Sequence, residues 1–359
     1  MWLVRERLGE DAELLCRDSA TVRGLPAAAG LVRGGLHPEE VGRAVRRTGA
    51  RIVHAHNLHP TFGWRALAAA RAAGAAVVLH LHQYRMVCAI GICFRAGHDC
   101  TSCHGRNTLP GVWHDCRGAA AEAAAYGVGL AAWQRRLAGQ ADAFVVPSHF
   151  AEARLRELGA PLGPTFVVPN VIHEIAPGPP DPPGTTALLA SRLVPEKGIG
   201  VAVQACRLAG IPLVVAGEGP ERARLEAEAT ADGVGGAAPP VTFAGRVGPD
   251  TLATLRGQAA VALVPSLSAE TFGLAAAEAM AAGVPVAASR VGALPELVPE
   301  PWLAAPGDPF DLARAIRRLR ADTAAPEVAL RAVRAAAAPE VAAPALAAAY
   351  AHAEAHTRR

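Results

Sequence analysis

The strongest constraint on how this chain can fold is a recurring pattern: short, continuously apolar, β-branched runs separated by longer segments rich in Ala, Leu and Arg. In the first half the runs are AELLC (12–16), ARIVHAH (50–56), AAVVLHLH (75–82), DAFVVPS (142–148) and TFVVPN (165–170). In the second half they are TALLASR (186–192), PLVVAGEG (212–219), VTFAGRV (241–247), AVALVPS (260–266) and VPVAASR (284–290). A strand with one face in water alternates apolar and polar residues, whereas runs apolar throughout suit strands covered by helices on both faces. Strand, helix, strand repeated in this way predicts parallel α/β sheets.

A chain of 359 residues exceeds what one core usually organises, and its 51% apolar content is enough for two. HEIAPGPPDPPGTT (173–186) is too rich in proline and glycine for helix or ladder and reads as a linker. The expected division is therefore a Rossmann-like domain at 1–172, a linker at 173–186 and a second Rossmann-like domain at 187–335. Prolines 326–344 are expected to interrupt the C-terminal helices, and a last helix within 336–359 to pack back on the first domain. Two doubly wound domains joined there would leave a cleft at the carboxyl ends of both sheets, where such folds bind ligands.

The formal net charge of +3 is too balanced for an electrostatic footprint on nucleic acid or an anionic membrane. No uncharged apolar run is long enough to span a bilayer, and the opening MWLVRERLGE is no secretory signal, so the expected location is cytoplasmic. The Ala-rich stretch 118–133 leaves peripheral membrane contact open, against the alternative of a buried or domain-surface helix.

Three segments of the second half carry candidate ligand chemistry. In SRLVPEKG, Arg192 and Lys197 follow a strand and open a helix, where free N–H groups and the dipole favour anions. Two cations there suit a diphosphate and its stabilisation as a leaving group. In AETFGLAAAEAMAAG, Glu270 lies after a strand, Phe272, Gly273 and Leu274 start a helix, and Glu278 lies about a turn and a half inside it. Gly273 permits close backbone approach, the following N–H groups are free for phosphate or sugar oxygens, and the carboxylates suit vicinal diols, Glu278 a ribose and Glu270 sugar hydroxyls. In VTFAGRV, Arg246 and Val247 end a strand on the same rim and could border a nucleobase.

SRLVPEKG, AGEGP, FAGRV and ETFGLAAAEAMAAGVPVAASRVGALPEL occur in the order and spacing of glycosyltransferase family 4, which the chain resembles over roughly residues 50–320. That family has the two-Rossmann GT-B architecture. Its E-x7-E motif matches Glu270 and Glu278, and its diphosphate-binding Arg/Lys pair matches Arg192 and Lys197. The first half is similar to a branch carrying the motifs seen here as HAHN (54–57), LHQYRMVC (81–88), CTSC (100–103) and GVWHDC (111–116). His82 matches the family histidine that contacts the donor sugar, and Gln83 stands where the branch often has Asp or Asn. Tyr84 and Arg85 either order the loop or meet the acceptor, and Asn170 anchors a turn at the domain junction.

Five of the seven cysteines fall within 88–116. Cys88, Cys100, Cys103 and Cys116 supply one C-x2-C pair and two flanking thiols, the makings of a structural zinc site, with ordinary buried thiols as the competing reading. Family members begin with a strand and a glycine-rich loop before the first helix. Here Met1 falls within what resembles that helix, with DAELLC as the second strand, so the first domain is expected to lack its first strand. Either the true start lies upstream or part of the site has been lost.

The resemblance implies a retaining glycosyltransferase that moves a hexosyl-type group from a nucleoside-diphosphate sugar to an acceptor hydroxyl on a small molecule, glycan or lipid-linked sugar. The expected route is same-face attack, with no metal required for catalysis and any zinc purely structural. The alternative is a catalytically impaired, nucleotide-sugar-binding relative. A nucleotide-sugar epimerase shares the architecture, and the cysteines alone suggest a zinc-dependent nucleic-acid module, which the charge balance opposes.

Overall fold

The computed structural model describes residues 12–17, 25–231 and 239–357, which divide into two compact units. The first comprises Met1–Arg95, Cys100–Pro169 and Ala342–Arg359; the second comprises Asn170–Val341 with Ala96–Asp99.

Among the described residues, the sheet of the first unit has four parallel strands. These are β1 (Ile52–His56) and β2 (Ala76–His80), then, after the short ribbon strands β3 (Phe94–Arg95) and β4 (His98–Asp99), β5 (Ala143–Val146) and β6 (Thr165–Val167). They lie in the order β1-β2-β5-β6, with Ile52 opposite Ala76 and Val78 opposite Ala143. Strands β2 and β5 are buried along their whole length, as continuously apolar runs require, whereas β1 is mostly half-buried.

The predicted strand at 12–16 is not one. Residues 12–17 are irregular, and Leu14 and Leu15 are exposed. Side chains hold the segment instead of a ladder: the Arg17 guanidinium donates to the carbonyls of Leu36 and Thr61, pairs with Glu40 at 2.6 Å and lies over the Phe62 ring. The expectation that DAELLC is a second strand is thereby corrected, and the expected absence of a first strand lies outside the described residues.

The Ala-rich stretch forms the helix Ala120–Ala138, which buries Ala123, Tyr126, Leu130 and Leu137 and packs on Leu109–Trp113 and Leu25–Arg33. Its buried Gln134 amide donates to the carbonyls of Met86 and Gly105, fastening the cysteine-bearing loop. Among the described residues, no helix is long and apolar enough to cross a membrane.

The second unit builds β7 (Thr186–Ala190), β8 (Leu213–Ala216), β9 (Val241–Gly245), β10 (Ala259–Val264), β11 (Val286–Ser289) and β12 (Leu303–Ala304) into one parallel sheet, ordered β12-β11-β10-β7-β8-β9. Counted from β7, this is the doubly wound order 3-2-1-4-5-6 of a dinucleotide-binding fold. The chain reverses direction between β7 and β10, and ligands bind such sheets outside the carboxyl ends at that switch point. Helices cover the strands from both sides, and one apolar cluster runs from Ile172 to Ala337.

The proline-rich segment before β7 is tied to this unit: Ala176 N–H donates to the Ala281 carbonyl, and Arg334 donates to the Ala176 carbonyl. The later prolines begin helices more than they interrupt them. Pro326 lies in the first turn of Ala325–Ala337 and Pro339 opens Pro339–Thr357, where a missing N–H costs nothing, and only Pro344 sits inside a helix. From Ala342 onward that last helix belongs to the first unit, where Tyr350 meets His54 and Glu354 pairs with Arg51.

Candidate active site

The loops that leave β7 and β10 bring together residues 73 positions apart. Lys197 Nζ donates to Glu270 Oε1 at 2.5 Å, with the two side chains only 23% and 18% exposed. The buried Ser266 hydroxyl donates to the same carboxylate oxygen at 2.7 Å. The loops are also laced through their backbones, because the Glu196 carbonyl accepts from the N–H of Leu267 and of Ser268. Gly198 makes this approach possible. It has φ +65°, a conformation that strains any other residue, and a Cβ there would run into the Pro265 carbonyl oxygen.

Arg192 lies on the same loop and is largely exposed, its guanidinium 3.6 Å from the well-buried carboxylate of Glu196. A cation pinned at one end by a shielded acid and open to solvent at the other suits an anion arriving from outside. Lys197 precedes the helix Ile199–Ala209 in a short turn at Pro195–Lys197 instead of opening that helix itself.

Gly273 is the N-cap of the helix Leu274–Ala281 with φ +98°, and a Cβ on it would lie 2.7 Å from Leu294 Cδ2. Leu274 is exposed at the helix start, but the Phe272 side chain is buried in the apolar cluster, so only its backbone is left to meet a ligand. Glu278 is ion-paired with Arg256 on the helix Pro249–Gly257. Arg246 is exposed just beyond β9, and Val247 packs against the apolar cluster. Lys197 and Glu270 are thus joined directly, while Arg192 and Glu278 are each held by another partner. Glu196, Ser266 and Arg256 went unnoticed in the sequence. Their importance comes from contacts between loops of different strands, and the only local signal was the place of Glu196 inside SRLVPEKG.

In the first unit His82 lies two residues beyond the end of β2, which stops at His80. Its Nε2 is 2.7 Å from His56 Nδ1, and its ring stacks 4.0 Å from that of His80. Burial pushes its pKa down to about 4, so the imidazole is neutral near pH 7. Tyr84 is fully buried beside it in the turn Tyr84–Met86, so it orders the loop.

The cysteine loop holds Cys88, Cys93 and Cys103 buried, and Cys100 and Cys116 half-buried. A hydrogen bond from Cys93 and nearby backbone amides lower the pKa of Cys88 to about 6, while burial raises those of Cys103 and Cys116. Cys93, absent from the sequence-derived zinc set, is thus the direct partner of Cys88. Among the described residues, the group of three or more metal-ligating side chains whose ligand atoms all lie within 4.8 Å of one another is His54, His56 and His80, and it contains none of the four cysteines.

Residues 184–322 match the family model described as glycosyl transferases group 1, and residues 4–171 match the glycosyl transferase 4-like domain. A GDP-mannose-dependent alpha-(1-6)-phosphatidylinositol dimannoside mannosyltransferase of Mycobacterium tuberculosis is 42% identical over 109 residues, 30% of this chain and 26% of that protein. The 2-deoxystreptamine glucosyltransferase of Streptomyces kanamyceticus is 36% identical over 200 residues, 50% of this chain and 51% of that protein. The chain thus spans about half or less of the length of these curated relatives. Among solved structures, Anabaena HepE in complex with UDP superimposes with a TM-score of 0.63 at 18% identity, covering 87% of this chain and 80% of that one. Sucrose-phosphate synthase from Thermosynechococcus elongatus gives a TM-score of 0.64 at 23% identity, covering 97% and 87%. With two matched domains, each Rossmann-like, the chain belongs to the family 4 glycosyltransferases of GT-B fold.

Proposed function

We propose that the protein is a retaining glycosyltransferase that moves a hexosyl group from a nucleoside-diphosphate sugar to an acceptor hydroxyl. The observation that carries this reading is the meeting of Lys197 and Glu270 at the switch point of the second sheet. Lys197 and Arg192 take the diphosphate, with N–H groups at the start of Leu274–Ala281 beside it. Glu270 takes sugar hydroxyls and Glu278 the ribose, and Arg246 and Val247 border the base. As the anomeric C–O bond to the diphosphate breaks, the acceptor oxygen bonds to the same face of that carbon, and the acceptor proton passes to a departing diphosphate oxygen. Catalysis then rests on holding the charge that develops on the leaving group, which a half-buried cation does far better than bulk water.

The relatives' names carry a GDP-sugar and cyclitol-bearing acceptors, and solved relatives carry UDP, so the assay panel is UDP- and GDP-hexoses with inositol-bearing, aminocyclitol and lipid-linked acceptors. The reaction is cytoplasmic in this reading. Any contact with a membrane surface uses the exposed Leu109 and Trp113 of one short helix. Lys197→Ala is expected to lower turnover by about 10²–10³-fold while leaving the far-ultraviolet circular dichroism unchanged. Wild-type turnover in that variant, or product of inverted anomeric configuration by NMR, would overturn the reading.

A further inference from the structure

A second cluster lies outside the diphosphate site. His54 and His56 of β1, His80 of β2 and His82 just beyond it stack in a column, with ring centroids 4.3 Å apart for His54 and His56, 4.9 Å for His56 and His80, and 5.3 Å for His54 and His80. One ring nitrogen from each of His54, His56 and His80 lies within 4.8 Å of the others. His54 Nε2 and both ring nitrogens of His80 are buried without a hydrogen-bond partner. A neutral imidazole carries one donor and one acceptor, and leaving such groups unmet inside a protein is costly. Three such nitrogens on two adjacent rings, beside the ring of His56, call for a partner that apolar neighbours do not supply.

We propose that His54, His56 and His80 bind one divalent transition-metal ion of the zinc class. Three imidazoles are a sufficient protein ligand set for such an ion and leave it a fourth position. Bonds of about 2.0–2.1 Å to one centre would draw the three nitrogens together. The outer contacts are compatible with the tautomers this requires. Tyr350 Oη lies 2.8 Å from His54 Nδ1, and His56 Nδ1 lies 2.7 Å from His82 Nε2. When the Nδ1–H groups of His54 and His56 donate to Tyr350 and His82, the Nε2 lone pairs of both are free for the ion. Such hydrogen bonds from the far side of a ligating ring are the usual way a site fixes ring orientation. The ion would clamp two neighbouring strands and, through Tyr350, the last helix of the chain. It takes no part in the group transfer proposed above, and its test does not depend on that activity.

The test is titration of the metal-free full-length chain with Co²⁺ in a non-chelating reductant, followed by visible and near-ultraviolet absorption. One equivalent should bind with the ligand-field bands of four-coordinate cobalt and without sulfur-to-cobalt charge transfer. His80→Gln should abolish the bands. Tyr350→Phe, which keeps the ring and loses the hydroxyl, should weaken binding by about 10–100-fold. Failure to bind one equivalent, a spectrum dominated by thiolate charge transfer, or wild-type affinity in a folded His80→Gln chain would each overturn the proposal. The thiolate spectrum would in addition move the metal to the cysteine loop.

Discussion

Ser266 has a small side chain in an exacting position. The residue is 1% exposed and its hydroxyl donates to the Glu270 oxygen that also holds Lys197, so it fixes the carboxylate from the buried side. A net hydrogen bond of about 1 kcal/mol is at stake, which corresponds to a several-fold change in rate. Ser266→Ala is therefore expected to lower kcat by about 3–10-fold with donor KM nearly unchanged, far short of the effect of Lys197→Ala; a fall as deep as that of Lys197→Ala in steady-state kinetics would make Ser266 a participant instead. Cys206 poses a different problem. Burial raises its thiol to about 12, against about 8.5 for a free cysteine, so above pH 8.5 the unfolded chain loses its proton before the folded one. The group favours the folded state fully below the unfolded pKa, and that contribution drains away as the pH climbs towards 12. Between pH 9 and 10 the wild type should lose about 1 kcal/mol more stability than Cys206→Ala, measured by urea denaturation at each pH. Parallel curves for the two proteins would show that Cys206 does not titrate on unfolding.

At the scale of elements, the site depends on how closely two loops approach. Gly198 stands where the loop after β7 passes under the carbonyl of Pro265, so a methyl group there must push apart the segments carrying Lys197 and Glu270. Gly198→Ala should cost on the order of 1–3 kcal/mol and weaken nucleotide binding as well, because the same displacement loosens both; denaturation and calorimetric binding of UDP or GDP read the two effects, and unchanged nucleotide affinity would separate loop packing from the site. The strands of both sheets were legible in the sequence because they are largely buried and so mostly apolar, β2, β5 and β10 most plainly. AELLC had the same local look, yet a short apolar run says nothing about whether a partner strand exists, and residues 12–17 are held by the Arg17 side chain instead. Lys197 and Glu270 were legible as motif residues, but their direct pairing was not. Nor was the histidine column, whose members come from two neighbouring strands and meet only through the parallel register of His56 with His80.

For the whole molecule, the two candidate ligand sites lie in different units, so ligands offer a way to address the stability of each unit separately. The candidate diphosphate site, with Arg192, Lys197 and Glu270, lies wholly in Asn170–Val341, and the three histidines with Tyr350 lie wholly in the first unit. A ligand that binds only the folded form stabilises what it binds by RT ln(1 + [L]/Kd), about 2.7 kcal/mol at a hundredfold excess over Kd. UDP or GDP should therefore raise hydrogen-exchange protection in the loops at 191–198 and 265–273, and Zn²⁺ should raise it in β1 and β2 and in the last helix. The Lys197→Ala chain should lose the first response and keep the second, and the His80→Gln chain should do the reverse. If nucleotide protected β1 as strongly as its own loops, the units would unfold as one cooperative body and a single stability would describe the chain. Responses confined as expected would mean that each half carries its own stability and its own ligand, with the transfer site built on the half that holds the phosphate.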